Sequence, residues 1–461
     1  MAQQVTSDTL LLGIYKSWYT EKRFPNLLFR NSPVLKEIQK NRIGGRDYKI
    51  SMLYGRGGAV SGDYTVAVAN AASSSRNAEM TVVPGNIHTV FNVTQKEILA
   101  SQKTKGAYVP ALINKMFAAT EATRKTFAGC LYGFGVGDMG TLPVVAATGA
   151  STMTLTYDTI VKLDIGTQFY VATPVSATAC LPTAAFYDAT VRTVSAIDGT
   201  TVTWTGGVVG GTPWAVGSLI CLVGGRDATP VASMPTGLAA WLPSMGGRTG
   251  ATWNTYIGTA FYGVTRSANT NQLAGWFYQR QPGEAMGDAL TQGIKLARRG
   301  GGVPNMLAIN DEDYQSIVYE LNQQTALMQH INTSDKKSDN AVVRGINKLK
   351  YAFSTSYLDV VYDDPYCPKG TGYILDKDVI EFAALSNTSD MDSDGVSGND
   401  PGAASVESAK DPDTQFKMII DDCINVVPNS TSVEGPAAQV SISVYGNFVV
   451  HEPGHCAVVV F

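Results

Sequence analysis

Residues 284–323 read EAMGDALTQGIKLARRGGGVPNMLAINDEDYQSIVYELNQ, and this stretch carries a helix, a strand and a second helix. Met286, Ala289, Leu290, Ile294 and Ala297 recur at the intervals of one helical face, which predicts a helix over Glu284–Arg299. Gly300 stops it. Val303–Ile309 reads as a strand. Asn310 then stands where a cap is needed for a helix carrying Tyr314, Ile317, Val318 and Leu321, with Asp313 near the capping-box position. The pattern is that of a mixed α/β layer.

The mixed pattern continues downstream. Leu358–Tyr362 and Gly372–Leu375 predict a hairpin around residues 363–371, and the chain ends in strands Gln439–Tyr445, Phe448–His451 and Ala457–Phe461. Upstream, residues 141–226 change character: they are rich in Thr and Val and poor in charge. Strands are expected at Thr152–Tyr157, Gln168–Ala172, Thr190–Ala196, Thr200–Trp204 and Ser218–Val223. Asp198-Gly199 between two alternating runs is a strong hairpin signal. This segment reads as an inserted antiparallel sandwich or barrel, expected to fold alone and bounded by Gly-rich stretches.

Before it lies a long helix, with Val109, Leu112, Ile113, Met116, Phe117, Phe127 and Leu131 on its apolar face and Gly133–Gly140 as its stop. Residues 45–95 form an excursion in which Asp47–Leu53 and Ile87–Thr94 read as strands. Between them stand Gly55-Arg-Gly-Gly58 and a small-sided tip, Ala67–Asn77, so the segment reads as a projecting two-stranded loop that buries no core of its own. Residues 1–40 read as an arm with two short helices. Ser7 or Asp8 caps the first, and Ser32 with Pro33 starts the second.

Length and composition narrow the class. The 461 residues suffice for about three domains. Lys+Arg is 35 and Asp+Glu is 39, so the net charge of −4 gives no whole-chain reason to bind nucleic acid or membrane. Charge is distributed unevenly: residues 1–60 hold ten Lys/Arg against four Asp/Glu, and residues 386–425 hold nine Asp/Glu against two Lys. Charged residues are 16% of the chain, against about 25% in an ordinary soluble domain. So neutral a surface points to Thr/Ser/Gly-rich β structure or to cover by other copies of the chain. The six cysteines, Cys130, Cys180, Cys221, Cys367, Cys423 and Cys456, have no CxxC pair and read as free thiols. There is no signal-peptide pattern and no apolar run of membrane-spanning length.

Three motifs suggest chemistry and fail on context. His451-Glu452-Pro453-Gly454-His455 matches the H-E-x-x-H of zinc proteases, but that chemistry needs both rings on one helical turn. Pro453-Gly454 makes a turn between strands instead. The remaining histidines, His88 and His330, offer no third ligand. Gly135-Val-Gly-Asp-Met-Gly140 matches G-x-G-x-x-G, yet it follows a helix and opens a β segment, the reverse of a dinucleotide loop. Asp390, Asp392 and Asp394 with Gly395 resemble the start of a calcium loop, but Pro401 stands where the bidentate Glu belongs and Asp400 comes one place early. A solvated acidic loop is the simpler reading, with weak cation binding as the other. No catalytic, cofactor-binding or metal residue is assigned, and no cofactor is expected.

The order of parts is more informative than any motif. The loop within 45–95, the helix over Gly106–Tyr132 and the helix–strand–helix of Glu284–Gln323 resemble, in that order, the major capsid protein of tailed bacteriophages, a fold shared with encapsulins and the herpesvirus capsid floor. The resemblance implies an α+β chain divided into an N-terminal arm (1–44), an extended β-hairpin loop (45–95), the spine helix of a peripheral domain (96–140), an inserted β domain (141–226), and an axial domain with the rest of the peripheral domain (227–461). It implies hexamers and pentamers forming an icosahedral shell around double-stranded DNA, in a virion made in the bacterial cytoplasm. Because the chain starts at the arm, a separate scaffolding protein is expected, beside a portal, possible decoration proteins and non-specific contact with packaged DNA, and no membrane. The basic arm is expected inside, the inserted domain outside, and residues 55–85 across a neighbouring subunit. The rival classes are another assembly protein (a fibre, a surface layer, an encapsulin-like compartment), which in the case of a fibre should show repeats, and an enzyme, which should show a convergent polar site.

Overall fold

The structure of the protein, a computed structural model, describes residues 32–43, 47–55, 60–70, 76–94, 111–172, 190–210, 213–225, 234–323, 351–353, 356–358, 360–385, 418–420, 424–429 and 437–461. The first helix expected in the arm, Cys180, His330, Cys423 and the acidic segment with Asp390, Asp392 and Asp394 lie outside these residues. In chain order the elements begin with helix α1 (Pro33–Glu37), strands β1 (Gln39–Ile43) and β2 (Tyr48–Gly55), helix α2 (Tyr64–Asn70), strands β3 (Arg76–Val82) and β4 (Gly85–Thr94), and the long helix α3 (Ala111–Leu131). The middle of the chain has β5 (Asp138–Thr141), β6 (Thr152–Thr154), α4 (Tyr157–Ile160), β7 (Gln168–Ala172), β8 (Arg192–Asp198), β9 (Thr201–Thr205) and β10 (Leu219–Leu222). Then come α5 (Leu238–Trp241), α6 (Gly250–Gly258), α7 (Thr270–Leu273), β11 (Trp276–Gln279), α8 (Met286–Arg299), β12 (Met306–Ile309) and α9 (Asp311–Gln323). The last strands are β13 (Tyr351–Phe353), β14 (Ser356–Leu358), β15 (Val360–Asp363), β16 (Thr371–Leu375), β17 (Ile380–Leu385), β18 (Met418–Ile420), β19 (Ile424–Asn429), β20 (Ala437–Val450) and β21 (Ala457–Val460).

The 14-residue β20 organises the first sheet. One side pairs with β4 from Ala437↔Thr94 to Gly446↔Gly85. The other side pairs with β19 along its first half and with β17 along its second. β18 extends the sheet beyond β19, and β1 lies parallel to β17. The α3 helix, about 31 Å long at 1.5 Å per residue, packs on β4 and β20. Phe127 of α3 meets Phe382 and Phe448 of the sheet with ring centroids 4.9 and 5.4 Å apart. All three rings are buried, and truncating one to Ala would cost about 3–5 kcal/mol. The sequence reading broke β20 into two strands at Gly446-Asn447. The strand is continuous because Gly446 is needed for close approach, not for a turn: a Cβ there would meet Ala383 O at 2.6 Å and the Phe382 ring at 2.7 Å.

The second sheet has the order β11-β21-β16-β12-β15 and carries α8 and α9. The α8 face read from the sequence (Met286, Ala289, Leu290, Ile294, Ala297) is buried against Leu307, Ile309, Ile374 and Val459. Asn310 does cap α9, its side-chain oxygen accepting from Glu312 N at 3.0 Å. Asp313 does not close a capping box. Its carboxylate accepts from Gly370 N at 2.6 Å. The expected 358–375 hairpin is also corrected: β15 and β16 both pair with β12, which lies between them. All four residues of β12 are buried, and a buried strand needs partners on both edges.

Residues 138–222 form the third sheet, antiparallel in the order β5-β10-β7-β8-β9-β6. The described strands make one sheet rather than the two facing sheets of a sandwich. Its core includes Phe169, Val202, Trp204, Trp214 and Ile220. Trp204 and Trp214 stack at 5.5 Å, and the Arg192 guanidinium lies 4.7 Å over Trp214. The Asp198-Gly199 turn joins β8 to β9 as its signal predicts, with Gly199 at φ 55°. The strand expected over Thr152–Tyr157 ends at Thr154, and Tyr157 begins α4.

Candidate functional site

The described residues bring no catalytic or metal constellation together. No group of three His, Cys, Asp or Glu side chains able to hold a metal occurs among them. In the His451–His455 motif, Pro453–His455 is a single tight turn. His451 Nε2 bonds Glu381 at 2.9 Å while His455 Nδ1 bonds Glu452 at 2.9 Å, so the two rings serve different carboxylates. Gly135 and Gly137 adopt φ 90° and 72° between α3 and β5, the turn expected of a junction. Cys130, Cys221, Cys367 and Cys456 are buried and not joined in disulfides, and burial pushes the Cys456 thiol up to about 12, far from nucleophilic.

The feature with functional shape is the β2–β3 hairpin. Its strands run antiparallel from Tyr48↔Val82 to Gly55↔Arg76, with an irregularity between Leu53 and Gly55. One face carries Ile50, Met52, Ala78, Met80 and Val82, all buried in the main core. The other face is polar, with Lys49 and Glu79 paired at 2.6 Å. The distal part is different. Asp63 accepts from Thr65 N at 2.8 Å at the start of α2, and Leu53, Val60, Tyr64, Val66 and Val68 are exposed, Val60 and Tyr64 by 85% and 83%. So large an exposed apolar side-chain set is of the kind that gains by being covered.

Two sequence expectations change here. The partner of β2 is β3, not the 87–94 segment, which belongs to the β20 sheet as β4. The root of the hairpin is also part of the subunit core. The signal was legible: Ala78, Met80 and Val82 alternate with Asn77, Glu79 and Thr81 at the period of two of a half-buried strand.

Four attachments fix the root. Tyr48 OH donates to Glu381 at 2.8 Å, and Thr81 N donates to Tyr262 O at 3.1 Å. Asn269 Nδ2 donates to Tyr54 O at 2.8 Å. Buried Asn447 donates to Val83 O and Tyr262 OH at 2.9 Å each and accepts from Thr236 N at 2.6 Å. A second buried hub joins Ser32 before α1, Tyr132 at the end of α3 and Asp364 just past β15. Ser32 OH and Tyr132 OH both donate to the Asp364 carboxylate, at 2.8 and 2.9 Å. Burial pushes that carboxyl up, and the three hydrogen bonds it accepts, from Tyr366 N, Ser32 and Tyr132, offset part of the rise. Ser32 therefore bonds Asp364 rather than capping α1, while Pro33 takes the first helical turn as expected.

No family model matches the chain, and no curated protein matches it. Among solved structures, the capsid asymmetric unit of Cyanophage A-1(L) aligns over 93% of this chain and 92% of its own, at 12% identity and a TM-score of 0.53. A structure from Mycobacterium phage Bobi aligns over 93% and 90% at 10% identity and TM-score 0.38. A virus-like particle from Pyrococcus furiosus aligns over 95% and 95% at 8% identity and TM-score 0.36. The chain has the fold of tailed-phage major capsid proteins, laid out along nearly its whole length.

Proposed function

We propose that this chain is the major capsid protein of a tailed phage, assembling into hexamers and pentamers of an icosahedral shell around double-stranded DNA. The observation that carries the reading is the match in fold to a phage capsid chain over more than nine-tenths of both chains. The exposed apolar end of the hairpin supports it, since a projecting element of this kind gains most when it lies across a neighbouring copy. In this reading the protein works by mutual burial of surface and not by catalysis, and its place is the virion. Residues 141–226 are an inserted domain on the outer side, and the basic excess of residues 1–60 faces the DNA, where positive charge offsets phosphate repulsion. A separate scaffolding protein, a portal and decoration proteins are the further partners. Electron microscopy of the purified full chain tests the proposal. Closed shells or capsomer rings are expected, with or without scaffolding protein added. A chain that stays monomeric at high concentration and with scaffold present overturns it.

A further inference from the structure

We propose that Glu381 is the anchor that sets the direction in which the β2–β3 hairpin leaves the six-stranded sheet. Three side chains from three elements donate to this one carboxylate: Asn41 of β1 at 3.2 Å, Tyr48 at the first position of β2 at 2.8 Å, and His451 just beyond β20 at 2.9 Å. The Glu381 side chain is 12% exposed. The Tyr48 ring meets the His451 ring edge-on, centroids 6.2 Å apart, so the donors also pack on each other. Burial pushes the Glu381 carboxyl up, but the hydrogen bonds from His451 and Tyr48 and the His451 charge outweigh it and hold the carboxyl below its usual range. The ionised form is therefore the bonded one.

The placement gives this carboxylate its role. β1 and β17 are paired through Gln39↔Glu381, so Glu381 is fixed by the sheet itself. Tyr48 is the hairpin's first residue, and only residues 44–47 separate it from β1. Apolar packing of Ile50 and Met80 holds the hairpin down but is non-directional. Charge-assisted hydrogen bonds are directional, and Glu381 supplies them at the pivot. The hairpin's reach toward a neighbour rests on the capsid reading; the anchor itself does not, and it is read in the free subunit.

The test is hydrogen exchange on the full chain and three variants. In Glu381→Gln and in Tyr48→Phe, amides of 48–55 and 76–82 should exchange about ten-fold faster, the scale of one lost charge-assisted bond. The amides of β20 should keep their rates. Asn41→Ala, which removes the donor on β1, should leave the hairpin at wild-type rates. Unchanged hairpin exchange in Glu381→Gln overturns the proposal, and so does acceleration spread evenly over all sheets. If Glu381→Gln does not fold, Tyr48→Phe decides by the same criterion. Failure of the wild-type chain to assemble with scaffolding protein present would overturn the capsid reading and leave this result standing.

Discussion

Glu381 shows what one buried side chain can carry, and its protonation gives the effect a sign. Its folded carboxyl lies below the usual value of 4.5. A depressed acid contributes stability that is present in full above the unfolded value and is lost as pH falls through the folded one. The stability gap between the wild type and Glu381→Gln should therefore be present in full at pH 5, above the usual carboxylate range. It should be about 1–2 kcal/mol there, since a charged acceptor is replaced by a neutral one. The gap should close only below the usual carboxylate range. Urea midpoints of both proteins across this pH series check it. A gap that widens as pH falls below 5 would mean that the neutral carboxyl, not the carboxylate, is the form held. Nothing in the sequence pointed to Glu381, because its three donors lie at positions 41, 48 and 451 and meet only in the folded chain. The same is true of Asn447, read as part of a break and found bonding Thr236, Val83 and Tyr262.

Elements were legible where a face repeats and illegible where pairing decides. The α8 face, the Asn310 cap and the Asp198-Gly199 turn are local in sequence, so periodicity and turn chemistry found them. Strand partners are not local. β12 enters between β15 and β16, and β4 crosses to β20, more than 340 positions away. The hairpin shows the consequence. The reading of residues 45–95 as a loop that buries no core of its own took β3 for solvent-exposed chain, whereas Met80 and Val82 are 0% and 1% exposed. Replacing residues 56–75 by a short Gly/Ser linker should change stability by under about 0.5 kcal/mol, because the described side chains lost, those of 60–69, bury little or nothing. Extending the deletion through Pro84 should cost about 4 kcal/mol or more, the sum of two emptied core positions. Both should fail to form shells if the distal hairpin is the contact between copies. Thermal unfolding and electron microscopy on the two variants separate the effects. Equal stability of the two deletions would contradict the core role of β3.

The whole molecule distributes its hydrophobic cores unevenly, and that decides what can fold alone. The main core is shared by α3, the β20 sheet, the hairpin root and residues near Trp241, so none of these is expected to stand by itself. The 138–222 sheet keeps its own core around Trp204 and Trp214. One tie to the rest is polar, Lys125 of α3 pairing with Asp164 at 2.5 Å, and Lys162 is buried near Asp158 and Asp138 of the same segment. Burial pushes the Lys162 amine down, while those two carboxylates oppose the shift, so the junction holds a charge that is costly without its partners. Residues 139–157 and 199–225 contain no Asp, Glu, Lys or Arg at all, and the outward, DNA-free placement proposed for this segment asks for no positive charge. Residues 134–226 expressed alone should therefore fold into a β structure with a cooperative thermal transition, less stable than the same sheet within the full chain by the loss of the Lys125 contact and of the apolar cover at the α3 junction. Lys162 should become exposed there, so Lys162→Met should destabilise the full chain more than the fragment. Circular dichroism melts of both forms measure this. A fragment without a cooperative transition would show that the sheet depends on the main core after all, and the chain would then be one folding unit from the hairpin root to β21.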